Sequence, residues 1–140
     1  MNIERIATSG LWLLTAVFTA VSILCLVDPT VLLGAMEVGL ETPSALAEVR
    51  AGYAGTFAGL AVLFGRGARR GEDRSLALGV AATVLGMFTV GRLLSLAMDG
   101  IPNTLAFANH ALEALGFVLA LWLWRSTQRG IAPAQPTSTL

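Results

Sequence analysis

Residues 10–27, GLWLLTAVFTAVSILCLV, are eighteen consecutive residues without a charged side chain. An α-helix rises ~1.5 Å per residue and a bilayer core is ~30 Å thick, so a crossing takes about 20 apolar residues. Asp28-Pro29 closes the stretch, because the residue before a proline is pushed out of the helical region. A signal peptide is the competing reading. It fits poorly: Glu4 cancels Arg5 ahead of the apolar run, and no A-x-A site follows. Leu24 also stands where a lipoprotein cleavage site wants a small residue before Cys25. The stretch reads as a permanent membrane helix.

Working outward, residues 44–64, 75–98 and 104–124 are further apolar stretches of spanning length. The expected fold is all-α: a bundle of four transmembrane helices in one domain, residues 1–126, with a polar, proline-containing tail at 127–140 that reads as disordered. The rest of the composition agrees. Hydrophobic residues make up 55% of the 140, and charged residues only 13%, against about 25% in soluble domains. The net charge is zero and there is no long basic or acidic run, which argues against nucleic acid as a partner. Cys25 is the only cysteine, so no intrachain disulfide forms, and its apolar surroundings suit a small packing residue.

The arginines orient the bundle. Arg5, then Arg66, Arg69, Arg70 and Arg74, then Arg125 and Arg129 all fall on one side of a four-span chain. Asp28, Glu37, Glu41 and Asp99 fall on the other. The positive-inside rule then places both termini in the cytoplasm of an inner-membrane, multi-pass protein. Trp12, Trp122 and Trp124 lie near the same interface, where amphipathic rings favour the headgroup level. The loop at 29–43 contains a short apolar piece, TVLLGAM, that suits the interface or the bundle surface.

Small residues suggest the packing. Gly52, Gly55 and Gly59 recur at helical spacing on the second stretch, and Gly79, Ala82 and Gly86 on the third. Such residues let helix backbones approach closely within a membrane. Packing inside the bundle is the expected use, and a face for a second copy is the alternative.

The charges inside the spans carry the functional information. Arg50 and Tyr53 lie two or three turns into the second stretch. Arg92 lies about 10 Å before Asp99, and His110 and Glu113 lie about 9–14 Å into the fourth, at ~1.5 Å per residue. All reach a similar depth in the half opposite the arginine loops. Arg50, Tyr53 and Phe57 share one helical face, as do Arg92, Ser95 and Asp99, and His110, Glu113 and Phe117. A charge at a membrane helix centre costs roughly 2.5–3.5 kcal/mol on insertion scales, so these faces should point inward and pair. The expected pairs are Arg92–Glu113 and Arg50–Glu113, with His110 donating a hydrogen bond near Glu113. Two arginines would keep Glu113 ionised and help His110 to hold a proton.

Two readings of Arg50, Tyr53, Arg92, Asp99, His110 and Glu113 stand side by side. One is an ion network that fixes helix register. The other is an outward-open pocket for a small hydrophobic or anionic ligand. A metal site would need ligands beyond His110-x-x-Glu113 that the chain lacks, and no cofactor motif is visible. No nucleophile–base pair is visible either, which favours a non-enzymatic role as ligand binder or accessory subunit. Membrane lipid, a second copy and another membrane protein are the candidate partners. A purely structural membrane component is a further alternative.

Residues 47–55, AEVRAGYAG, resemble the motif of a bacterial four-helix membrane family catalogued only as a domain of unknown function. Gly91-Arg92, Asp99-Gly100 and Glu113 match the same pattern, and the resemblance covers about residues 8–126. Where relatives carry a second glycine after the tyrosine, this chain has Ala54. The family is similar in architecture to DoxX-like membrane proteins. The resemblance implies a four-helix bundle with Arg50, Tyr53, Arg92, Asp99 and Glu113 as signature positions, and no assigned reaction. Analogy with DoxX-like proteins adds the alternative of redox or proton-coupled work on a quinone-like substrate, for which Tyr53, His110 and Glu113 would form a relay.

Overall fold

The computed structural model describes residues 3–131. They form α1 (Ile3–Val27), α2 (Pro29–Ala35), α3 (Pro43–Glu48), a π-helical segment (Val49–Ala54), α4 (Gly55–Arg69), α5 (Gly71–Asp99) and α6 (Thr104–Ile131), with no strand among the described residues. The all-α expectation holds. Helix α6 continues to Ile131, five residues past the expected domain end. The rest of the expected disordered tail, from residue 132, lies outside the described residues.

The short elements follow from local chemistry. Asp28 caps α2 by accepting from the Thr30 amide, and Thr42 caps α3 by accepting from Ala45 N at 3.1 Å. Pro29 and Pro43 follow at the first helical turn, where a missing N–H costs nothing. Helix α2 ends in two overlapping bonds, Glu37 N to Gly34 O and Val38 N to Leu33 O, both 2.9 Å. That closure puts Glu37 at φ 63°, a left-handed position that glycine normally fills. Gly100, at φ 93°, ends α5.

Helices α1, α5 and α6 are each long and apolar enough to cross a membrane. The second apolar stretch is not one uninterrupted α-helix, which departs from the expected four uniform spans. Its path from Pro43 to Arg69 stays helical, with Glu48 at φ −61°, ψ −41° and Gly55 at φ −63°, ψ −46°, but residues 49–54 are wound as a π-helix. A π turn shifts the backbone ladder from i+4 to i+5, so carbonyls at its edge need other donors. The Ser22 hydroxyl donates to the Ala54 carbonyl at 2.8 Å. In the opposite direction, Arg50 Nε donates to the Leu26 carbonyl at 3.1 Å. These two crossed bonds fasten the π segment to the end of α1.

The helices associate as two pairs, α1 with α4 and α5 with α6, joined mainly through α4 and α5. The principal core lies at the end that holds the start of α1 and the α4–α5 turn. Ala7, Leu11, Phe64, Ala68, Ala77, Leu78, Ala81 and Leu123 are buried there. Phe18 stands edge-on to Phe64, with ring centroids 5.3 Å apart. A smaller cluster of Cys25, Leu33, Val49 and Ala54 packs α2 and the π segment against α1.

The small residues divide accordingly. A side chain at Gly67 would collide with Ala77, and one at Gly86 would meet Phe117 at 2.9 Å. Gly79 lies against the Trp124 indole, whose Nε1 would be 3.1 Å from an added Cβ. The third-stretch motif thus packs inside the bundle as expected. Gly52, Gly55 and Gly59 do not: an added Cβ meets nothing within 4 Å at any of them. Other residues of this path make its contacts: Val49 and Ala54 of the π segment pack in the smaller cluster and Phe57 of α4 packs on the principal core, which leaves these glycines facing outward.

Candidate functional site

Beyond the core the two helix pairs separate around a cavity of about 680 Å³. Leu13, Val17 and Val21 of α1, Leu32 and Met36 at α2, Phe57 of α4, Phe88 of α5 and Leu112 of α6 supply apolar walls. Tyr53, Arg92, Ser95, Asp99, Asn109, His110 and Glu113 supply polar groups. Five of the six sequence-selected residues therefore line one cavity, contributed by the π segment, α5 and α6.

The expected Arg92–Glu113 pair is present. Arg92 Nε lies 3.3 Å from Glu113 Oε2, with side chains 41% and 15% exposed. The other Glu113 oxygen, Oε1, accepts from Asn109 Nδ2 at 2.8 Å. Asn109 stands one helical turn before Glu113, and that i, i+4 spacing is the signal in the sequence for a residue absent from the charged faces above. Arg92 engages Glu113 through Nε only, and its remaining N–H donors have no partner among the described residues. Ser95 Oγ donates to Asp99 Oδ2 at 2.8 Å, within α5.

Two expectations are corrected. Arg50 does not pair with Glu113: its guanidinium reaches the Leu26 carbonyl on α1, outside the cavity. The three-residue spacing from Arg50 to Tyr53 implied a shared face only for an α-helix. In the wider π turn the two residues move apart around the axis. Tyr53 stays with the cavity, its ring 6.0 Å from Phe57 and nearly perpendicular to it. His110 is not the hydrogen-bond partner of Glu113. Its ring lines the cavity, and its Nδ1 is shielded from solvent with no hydrogen-bond partner among the described residues.

Asp28 lies beside this end but outside the spans. Thr30 donates to its Oδ1 through the hydroxyl, at 2.5 Å, and through the amide, at 3.1 Å. Those bonds, with the Arg50 charge behind them, hold its carboxyl below the usual aspartate range. Among the described residues, no three His, Cys, Asp or Glu side chains gather as a metal site would require.

A family model described as Domain of unknown function (DUF4345) matches residues 6–124. The chain belongs to this family. No curated protein and no solved structure matches it.

Proposed function

We propose that this member of the DUF4345 family is a four-span inner-membrane protein with both termini cytoplasmic, whose outward-facing cavity holds a small amphiphilic ligand. The cavity carries the proposal: about 680 Å³ of largely apolar wall, with Tyr53, Arg92, Asp99, His110 and Glu113 converging on it. Pockets of this size and make-up are typical of small-molecule sites. The composite path from Pro43 to Arg69 is about 40 Å long at ~1.5 Å per residue, enough for the fourth crossing. Seven arginines and three acids lie toward one end of the helices and their connecting turns, and two arginines and six acids toward the other. That asymmetry supports the orientation.

The charges narrow the ligand. Arg92 is already shared with Glu113, and Asp99 adds a second carboxylate. A strongly anionic head would meet both acids. A neutral head with hydrogen-bonding oxygens fits better, using the spare Arg92 donors. The two satisfied oxygens of Glu113 also favour a structural role for that pair, which holds α5 and α6 in register.

The test is gentle extraction from native membranes followed by mass spectrometry of bound small molecules, wild type against Arg92→Gln. A stoichiometric amphiphile in the wild type that is depleted in the variant is the expected result; identical profiles would refute ligand recognition by Arg92. Reporter fusions after Gly71 and after Gly100 test the orientation, and an external signal at Gly71 would reverse it.

A further inference from the structure

On the outer face of the α1–α4 pair runs a second concavity of about 470 Å³, separate from the cavity above. Its floor is small and buried, with Ser22, Ala61 and Gly65 lying between the two helices. Ala58 and Val62 face outward along one side, and Trp12 and Thr19 along the other. The groove is thus a slot along a helix–helix seam, open to whatever surrounds the protein. At one end stand Arg66 and Arg69. The Arg69 guanidinium carbon lies 5.4 Å from the Trp12 ring centroid, so indole and cation form one rim. Arg66 pairs with Asp73 at 3.2 Å, yet its side chain remains 58% exposed.

We infer that this groove is a binding site for an anionic phospholipid, one acyl chain lying along the α1–α4 seam and the phosphate resting at Arg66 and Arg69. Charge complementarity selects the occupant. The half of the molecule around the mouth carries seven arginines against three acids, so a headgroup with net negative charge is favoured there over a zwitterion. The floor suits a slender chain: Ser22, Ala61 and Gly65 are small and buried, and an added Cβ at Gly65 would already touch Thr15 Cγ2 at 3.5 Å. Arginine suits the phosphate because it offers several N–H donors in a planar fork while Asp73 holds one side. The site is independent of the cavity ligand and of its identity.

The experiment is native mass spectrometry of the full chain in detergent, with phosphatidylglycerol and phosphatidylcholine of equal chain length supplied in equal amounts. The wild type is expected to retain phosphatidylglycerol roughly tenfold better, the size expected of two arginines of which one is already paired. Arg66→Gln with Arg69→Gln is expected to bring that preference close to unity. Arg125→Gln with Arg129→Gln removes as much charge from the same end on α6, and is expected to preserve it. Ala58→Phe fills the slot without touching a charge, and is expected to lower retention of both lipids. Thermal melts confirm that each variant is folded. Equal retention of the two lipids by the wild type would overturn the site. So would equal loss in the two arginine pairs, which would mean a diffuse field rather than a groove.

Discussion

At the arginine-rich end the helices touch through glycine and alanine, and at the acid-rich end they stand apart around a cavity. Gly67 lies so close to Ala77 that no side chain fits between them, whereas Gly52, Gly55, Gly59 and Gly91 face open space. The residue type is the same and the consequence is opposite. Lipid offers no hydrophobic drive between helices, so close packing has to come from van der Waals contact, and small residues supply it only where a neighbour is present. The principal core lies in the first half, and the second half is built around the cavity.

The sharpest way to break this comparison is Gly67→Leu. It forces α4 from α5 at the tightest contact, and overpacking of this kind costs about 3 kcal/mol. A melting temperature in detergent that matches the wild type would show that the closed half is not closed. Next comes the ion pair of the open half. Arg92→Leu strands the Glu113 carboxylate and is expected to cost about 2 kcal/mol, less than a fully buried pair would because Arg92 is partly exposed. Arg92→Leu combined with Glu113→Leu is expected to melt higher than the single variant. A double variant less stable than the single would disprove the stranded-charge argument.

Ser22→Ala tests the joint between the halves. It removes the donor to the Ala54 carbonyl and is expected to cost about 1–2 kcal/mol. Hydrogen exchange should rise over residues 49–54 before it rises in α4; uniform exchange from Pro43 to Arg69 would mean that Ser22 does not secure the π segment. Gly59→Ala sharpens the contrast with Gly67. With open space around it, the substitution is expected to raise stability by about 0.5 kcal/mol through the unfolded chain alone. A loss of stability there would reveal a hidden contact.

The smallest effect is acidic. The folded Asp28 carboxyl titrates below its unfolded value because Thr30 hydrogen-bonds its ionised form. Its contribution is present above the unfolded pKa, near ~3.9, and is lost as pH falls through the lower folded value. Asp28→Asn should flatten the acid limb of the stability curve, and an unchanged limb would remove Asp28 from the account.

Much of the fold was legible in the sequence because helices write their period directly into it. Asp28-Pro29 marks where α1 stops, and the break between the third and fourth apolar stretches falls where α5 ends and α6 begins. The Arg92–Glu113 contact was legible for the same reason, since two α-helical faces at matched depth have few other ways to neutralise charge. Arg50 was misread because the face calculation assumes an α-helical period, and the π segment changes that period locally. No residue in VRAGYA announces the change; its support, Ser22, lies 32 positions away on another helix. Asn109 carries no charge, so the neutralisation of charged faces does not mark it, although its i, i+4 spacing to Glu113 is plain. The unpartnered His110 nitrogen belongs to tertiary packing alone.

Asn103 has a consequence for how the two helix pairs stay together beside the cavity. Its side-chain oxygen caps α6 through the Ala106 amide at 2.9 Å, while its Nδ2 donates across the rim to the Ala35 carbonyl of α2 at 3.2 Å. The other polar ties at that end run within one helix pair, whereas this one runs between them. A single exposed hydrogen bond is worth about 1 kcal/mol, so thermal motion releases it in a sizeable fraction of molecules. The cap need not break when the tie does. One side chain thus both starts α6 and ties the two helix pairs together at this end.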